Sequence, residues 1–533
     1  MAVTDQNDRA ITRIPSTGDV TGQPNEIGGC VPDHLAHDLK AKTARGALVS
    51  TVSQGANFVL RLGSMMVLAR ILVPTDFGLV GMVTACTGFL TVFRDAGLSM
   101  ATVQRASISR EQISTLFWIN VVFGGVLAAL CAAAAPILIR FYHEPRLFWM
   151  TIVIGTGFIF NGAGAQHRAT LQREMRFAVL SAIDIVSTIA SIALAIGMAM
   201  AGQGYWALVA MAVFPNVVGL LGVLIVGGWI PGPPRRGTDV VSMLKFGGTV
   251  TLNNLVAYIA FNSDKVLLGR FWGAEALGIY GRAYQLINLP TDNLNSTIGL
   301  VAFPALSRLQ NDPERLRNYF LKGYGLFLSL VMPITMACAL FAEDIVRVFL
   351  GPKWGETAPL FRLMAPTIFA FALKSPLAWL MLATGGAAKS LKMALVITPL
   401  IILGYALGMR FGPTGVAAGF SVATTLLAFP VIFWATHGTP VTGFDALKVL
   451  VRPLLSILVA AGVTLLAWNF VQRLEPALIR LIVANVILFG VYACMLWFVM
   501  GQREVYAGVL RQIGIWPFAR TARGTKSAEC REA

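Results

Sequence analysis

The chain has 533 residues, 56% of them hydrophobic and 13% charged, with a formal net charge of +16. Soluble domains run about 45–50% apolar and about 25% charged, so this composition excludes an ordinary soluble enzyme, a disordered protein and a secreted disulfide scaffold. The bases lie mostly between apolar runs, which points to lipid headgroups and membrane orientation rather than nucleic acid. The six scattered cysteines form no Cys-x-x-Cys pair, so neither a metal cluster nor a disulfide framework is indicated.

Residues 1–43 are polar and contain Pro15, Pro24 and Pro32. They lack the basic start and apolar core of a signal peptide and read as a flexible tail. Apolar runs of membrane-spanning length then follow almost end to end, about 14 in all. In the first half they cover 46–69, 77–98, 113–139, 147–166, 177–201 and 204–228. In the second half they cover 244–267, 276–303, 319–341, 358–383, 390–409 and 413–435, with a further pair at 449–470 and 479–500. The tail after Gly501 is polar and basic. An even number of spans puts both ends on one side. The inter-span loops on that side carry 17 bases and the opposite loops carry 10, so the positive-inside rule places both termini in the cytoplasm. The longest outer loop, about 342–357, reads as a solvated amphipathic turn with Glu343, Asp344, Arg347, Lys353 and Glu356.

A shift of 200 positions aligns LARILVPTDFGLV (68–80) with LGRFWGAEALGIY (268–280), bringing Leu68, Arg70 and Gly78 onto Leu268, Arg270 and Gly278. GQGYWALVA (202–210) and FGPTGVAAG (411–419) occupy matching turns before the sixth helix of each set. The expected fold is therefore all-α and polytopic, with two parallel six-helix lobes (44–237 and 238–436), an extra helix pair (437–500) and a basic tail (501–533). Such repeats place a substrate site between the lobes near the midplane.

Charges inside a bilayer cost about 2.5–3.5 kcal/mol each on insertion scales, so each needs a reason. Ser50, Gln54, Asn57, Arg61 and Ser64 share one face of the first helix. Asn254, Tyr258, Phe261 and Lys265 line a face of the seventh; Arg282, Gln285, Asp292 and Ser296 follow on the eighth, and Lys374 lies mid-span in the tenth. The functional reading is a water-filled cavity lined by Arg61, Lys265, Arg282 and Lys374, with Gln54, Asn57, Asn254, Gln285 and Asp292 as polar lining. That chemistry suits a polyanion, above all a diphosphate, which arginine grips through two nitrogens and lysine meets as a point charge. The structural alternative is that these groups bond across helices or snorkel to headgroups. Asp184 and Asp264 have a counter-ion or coupling role to fill. His34 and His37 lack a third ligand, and Gly415 and Gly419 form a small-xxx-small pair suited to close helix packing. No Walker loop, Gly-x-Ser-x-Gly or zinc signature occurs, so no enzyme and no cofactor are expected.

In LARILVPTDFGLVGM (68–82), DAGLSMATVQR (95–105) and DKVLLGRFWGAEALGIYGRAYQLINLP (264–290), the chain resembles the bacterial polysaccharide transporter family. These are oligosaccharide flippases of the multidrug/oligosaccharidyl-lipid/polysaccharide exporter superfamily. GYWALV (204–209) and GPTGVAAG (412–419) add to the likeness, which extends from about 44 to about 500. The resemblance implies 14 helices in two lobes plus a pair, in the bacterial inner membrane. It implies transfer of an oligosaccharide on polyprenyl diphosphate from the cytoplasmic to the periplasmic leaflet, for lipopolysaccharide, capsule or exopolysaccharide. Its partners would be that lipid-linked oligosaccharide, membrane lipids and a polysaccharide polymerase machinery. The rival readings are a drug–cation antiporter, which needs a cavity rich in acids, a peptidoglycan-precursor flippase, and a membrane-embedded polymerase or ligase, which needs a larger outer loop.

Overall fold

The computed structural model describes residues 33–93, 102, 108–234 and 241–501. Within these, side chains are described outside 33–50, 241–254, 293, 296, 297, 300, 301 and 387. The tails before 33 and after 501, Arg94, Arg105, Arg235 and Arg236 lie outside the described residues, as do the side chains of His34, His37, Asn254 and Ser296. Among the described residues there are helices and no strand.

Helix α1 (Asp33–Ile71) starts ahead of the expected end of the tail at 43, because LAHDLKAK consists largely of good helix formers. A short turn leads to α2 (Pro74–Thr91), with proline at its first position and Asp76 in its first turn, both favoured there. Next come α3 (Arg110–Tyr142), α4 (Leu147–Arg173), α5 (Phe177–Met200) and α6 (Tyr205–Gly227). A capping box at Ser109 and Gln112 starts α3.

The run Val241–Arg308 is two helices joined at Gly273, where φ 80° and ψ −175° break the helix. Glycine alone takes that conformation readily. The limbs, α7 (241–272) and α8 (274–308), correspond to the expected runs 244–267 and 276–303. After them come α9 (Pro313–Leu340), the short α10 (Ala342–Phe349) and a 3-10 turn (Pro352–Trp354). The expected run 358–383 is two pieces, α11 (Thr357–Met364) and α12 (Pro366–Ala383), with Pro366 starting the second. The chain ends with α13 (Ala387–Gly408), α14 (Gly412–Thr436), α15 (Gly443–Val471) and α16 (Ala477–Cys494).

Nine of the described helical stretches are long and apolar enough to cross a membrane. Leu466, Phe470, Phe498 and Ile225 are each more than three-quarters exposed. Water would not tolerate so much open apolar surface on one molecule, and lipid does.

Glycines let the helices approach backbone to backbone. A Cβ on Gly408 would lie 2.1 Å from the Gly415 oxygen, and one on Gly419 would lie 2.2 Å from the Gly404 oxygen. The two glycines of the small-xxx-small pair thus seat α14 on α13. A second crossing joins the two halves of the chain. A Cβ on Gly78 would lie 1.6 Å from the Ala274 oxygen, and one on Gly278 would lie 1.9 Å from the Pro74 oxygen. Residue 78 meets 274 and residue 278 meets 74, so the contact is reciprocal under the same 200-residue shift that the sequence shows. Two copies of one element meeting across a two-fold axis make this kind of contact.

Candidate functional site: a cationic cavity between the two halves

The crossing of α2 and α8 lies at the start of both helices and borders a large cavity. Its volume is about 1420 Å³, and α1, α2, α4, α5, α6, α7 and α8 wall it. Phe77 and Leu277, again 200 apart, are the lining residues next to the crossing.

Arg61, on α1, is exposed to the cavity. Its neighbour one turn back, Asn57, accepts a 2.9 Å hydrogen bond from the Thr188 hydroxyl, which ties α1 to α5. Lys265, on α7, donates from Nζ to Asn262 Oδ1 at 2.9 Å and lies 4.2 Å from the centre of the Tyr284 ring. Arg282, on α8, donates to Gln285 Oε1, and its guanidinium carbon stands 3.9 Å over the Phe77 ring. Gln54, Asn57, Gln285 and Asp292 also line the cavity.

The acids are fewer. Asp184 lines the cavity and accepts a 2.6 Å bond from Arg168, so it is a counter-ion to that arginine. Arg168 was legible in the sequence only as a loop base. The helix runs on to Arg173, past the expected end at 166, so Arg168 lies within α4 and lines the cavity beside Asp184. With that pair closed, three cations (Arg61, Lys265 and Arg282) face one remaining lining carboxylate, Asp292. The surplus is positive.

Lys374 does not join this group. It sits on α12, 4.9 Å from the Phe371 ring, and is not among the cavity's lining residues. The reason is packing: α12 is wedged among α8, α9 and α14, so mid-span depth there leads into the second half. Asp264 also points away from the cavity. It is fully buried, accepts a 2.6 Å bond from the Tyr280 hydroxyl, and leaves Oδ1 without a partner in the structure. The adjacent Lys265 faces the cavity because successive helical residues lie about 100° apart. Phe261, the shifted counterpart of Arg61, packs on Phe371 with ring centres 5.7 Å apart, so the repeat-related helices α1 and α7 present different chemistry. Among the described residues no group of His, Cys, Asp and Glu is suited to hold a metal.

In the segment 342–357, Glu343, Arg347, Lys353 and Glu356 are exposed, as a solvated turn requires, but Asp344 departs from that expectation. Asp344 is 4% exposed and held by Arg480 of α16 through both carboxylate oxygens. Trp354 is fully buried and donates from Nε1 to the Ala69 carbonyl at 2.8 Å. Charge pattern alone hid both, because their partners are 136 and 285 positions away.

The model of the family described as "Polysaccharide biosynthesis protein" matches residues 67–359, more than half of the chain. The chain belongs to that family. It is therefore a membrane protein of polysaccharide biosynthesis. The lipopolysaccharide biosynthesis protein WzxC of Escherichia coli (strain K12) is 26% identical over 414 residues, covering 75% of this chain and 83% of that protein. The teichuronic acid biosynthesis protein TuaB of Bacillus subtilis (strain 168) is 27% identical, covering 65% and 70%. The succinoglycan biosynthesis transport protein ExoT of Rhizobium meliloti (strain 1021) is 24% identical, covering 61% and 66%. Among solved structures, the lipid II flippase MurJ in an inward closed conformation matches 86% of this chain and all of that one, with TM-score 0.70 and 14% identity. An inward-facing multidrug resistance transporter of the MATE family and MOP superfamily matches 72% and 94%, with TM-score 0.59 and 13% identity. These two share the fold of this chain.

Proposed function

We propose that this protein is a flippase for polyprenyl-diphosphate-linked oligosaccharide, moving it from the cytoplasmic to the periplasmic leaflet by alternating access. The observation that carries the reading is the cavity of about 1420 Å³ with its surplus of cations, lying between repeat-related helices. A diphosphate stripped of water faces a prohibitive cost in hydrocarbon. Arg61, Lys265 and Arg282 replace that hydration. The volume exceeds the roughly 300–1,000 Å³ of ordinary small-molecule pockets, leaving room for sugars beside the diphosphate while the prenyl chain stays in lipid.

The proposed architecture has 14 spanning helices. Residues 44–237 and 238–436 form two parallel lobes, 437–500 form an added pair, and both termini are cytoplasmic. The α2–α8 crossing then lies at the periplasmic end, and the cavity opens inward. Rocking of the lobes about the cavity opens the other end. The work is transport, with no bond made or broken. A cation exporter of the same fold would need a surplus of carboxylates, and here Asp184 is already taken by Arg168.

The test is lipid mass spectrometry on a strain lacking the gene, complemented with wild type, Arg61→Ala or Arg282→Gln. Accumulation of one polyprenyl-diphosphate oligosaccharide without the gene, relieved by wild type and by neither variant, is the expected result. Full relief by both variants, inserted at wild-type levels, refutes the cavity assignment. Normal polymer with no accumulated lipid refutes the flippase.

A further inference from the structure

The last turn of any α-helix leaves carbonyls with no partner in the helix. At the end of α1 the Leu68 oxygen is taken by the Leu72 amide at 2.9 Å. The next two are taken from the other half of the chain. Trp354 Nε1 donates to the Ala69 oxygen at 2.8 Å, and Lys353 Nζ donates to the Arg70 oxygen at 3.4 Å. The exchange runs both ways. Arg70 donates to the Val348 carbonyl at 3.0 Å, in the last turn of α10. Each helix end thus caps the other. The segment is anchored on its own side by the Asp344–Arg480 pair.

Trp354 also meets the cavity wall. Its ring stands edge-on to Phe77, with centres 5.4 Å apart, and Phe77 is the ring that carries the Arg282 guanidinium. One aromatic side chain therefore touches both the segment that caps α1 and a cation of the cavity.

We propose that residues 341–354 form a latch holding the outer end shut, and that Phe77 is the positioning residue through which Arg282 releases it. This rests on the reading that Arg282 binds the diphosphate of the substrate. Arg282 lies on Phe77, and Phe77 backs Trp354. A diphosphate draws the guanidinium off the ring. Loss of a desolvated cation–π contact shifts an equilibrium by up to about thirtyfold. The latch then loses its backing, and the outer end opens only when the cavity is loaded. An empty cavity stays closed outside.

The experiment uses the full chain with its six native cysteines replaced by alanine and a Thr84→Cys reporter in the cavity. A membrane-impermeant thiol reagent is applied outside right-side-out vesicles, with or without inorganic diphosphate loaded inside. Inverted vesicles measure protection of the reporter by the same diphosphate. Trp354→Phe keeps an aromatic ring but leaves the Ala69 carbonyl unpaired, and it should raise outside labelling about tenfold without diphosphate. Arg70→Ala should move it the same way and carries the test if Trp354→Phe fails to insert. Loaded diphosphate should raise outside labelling several-fold in wild type and leave Phe77→Leu unchanged.

Labelling of both Trp354→Phe and Arg70→Ala within twofold of wild type overturns the latch. Diphosphate protection that depends on Arg282, with no outside response in wild type, overturns the Phe77 link and leaves the anion site standing. A tenfold rise in Trp354→Phe with no diphosphate effect on either face supports the latch and sinks the anion site instead.

Discussion

Gly78→Ala puts a methyl group into the crossing that borders the cavity. The new Cβ would lie 1.6 Å from the Ala274 oxygen, where an ordinary contact starts near 3.4 Å. The obstacle is backbone on a helix, so it cannot rotate away. The two helices have to part by about 1.8 Å, and the packing around the crossing is lost with them. Overpacking typically costs about 1–3 kcal/mol, and a backbone-on-backbone clash belongs at the upper end, about 3 kcal/mol. That cost falls on the state in which α2 and α8 touch. About 3 kcal/mol is a factor of about a hundred in an equilibrium, so the ratio of molecules with the crossing parted to those with it closed should rise by about that factor. The assay is modification of a cavity cysteine by an impermeant reagent from outside. The expected rise is about hundredfold, with loss of transport. Gly278→Ala, 1.9 Å from the Pro74 oxygen, should match it in direction and size, because the contact is reciprocal. Gly125→Ala, with nothing within 4 Å of its Cβ, should change neither readout. Wild-type labelling in an inserted Gly78→Ala protein refutes the argument, and so does a response from only one of the paired glycines.

Two further outcomes follow from ion pairs away from the cavity. Asp344→Asn leaves Arg480 partly buried without its counter-charge; the Asp344 side chain is 5% exposed and that of Arg480 17%. Breaking a buried pair from one side costs about 3–5 kcal/mol, and the residual access of Arg480 to water puts this case near about 3. Thermal unfolding of the purified protein should show a clear drop in Tm, and an unchanged Tm refutes the assignment. Glu144 lies in the turn between α3 and α4, where Arg146 at 2.7 Å holds its carboxyl below the usual carboxylate range. A depressed acid contributes stability above its unfolded value, near pH 4.3, and loses it as pH falls through the lower folded value. The pair is solvent-exposed, so Glu144→Gln should cost under about 1 kcal/mol. It should also flatten the fall in stability between about pH 5 and pH 3. A fall as steep as in wild type counts against the pair.

The helices were legible because their cause is local. Apolar length marks a span whatever its neighbours are, and each long helix overlaps an expected run. The breaks at Gly273 and Ala365–Pro366 fall between or inside runs where glycine and proline stand. Which way a helix faces was less legible. Arg61 and Lys374 look alike in one dimension, each a base at mid-span. Only the packing of α12 against three neighbours turns Lys374 into the second half. Asp264 and Lys265 are adjacent in sequence, yet only Lys265 lines the cavity. Arg168 fell outside the expected run 147–166, and the helix extends to Arg173. Trp354 carried no visible sign at all, since its acceptor is a backbone carbonyl and backbone carries no letter.

The repeat explains why the site is asymmetric. Two copies of one fold would give two equal half-sites, and here the two copies have diverged. The shared scaffold is kept where both copies must touch, at Gly78 and Gly278, and abandoned where they need not. At positions 61 and 261 one copy has arginine facing the cavity and the other has phenylalanine packed on Phe371. Lys265 and Arg282, on the second copy, lie near aromatic rings, whereas Arg61, on the first, stands exposed. The cations therefore differ in setting, from an exposed one on α1 to one resting on Phe77 beside the crossing. On the proposed reading of a diphosphate substrate, Arg282 is the cation that touches the ring backing Trp354.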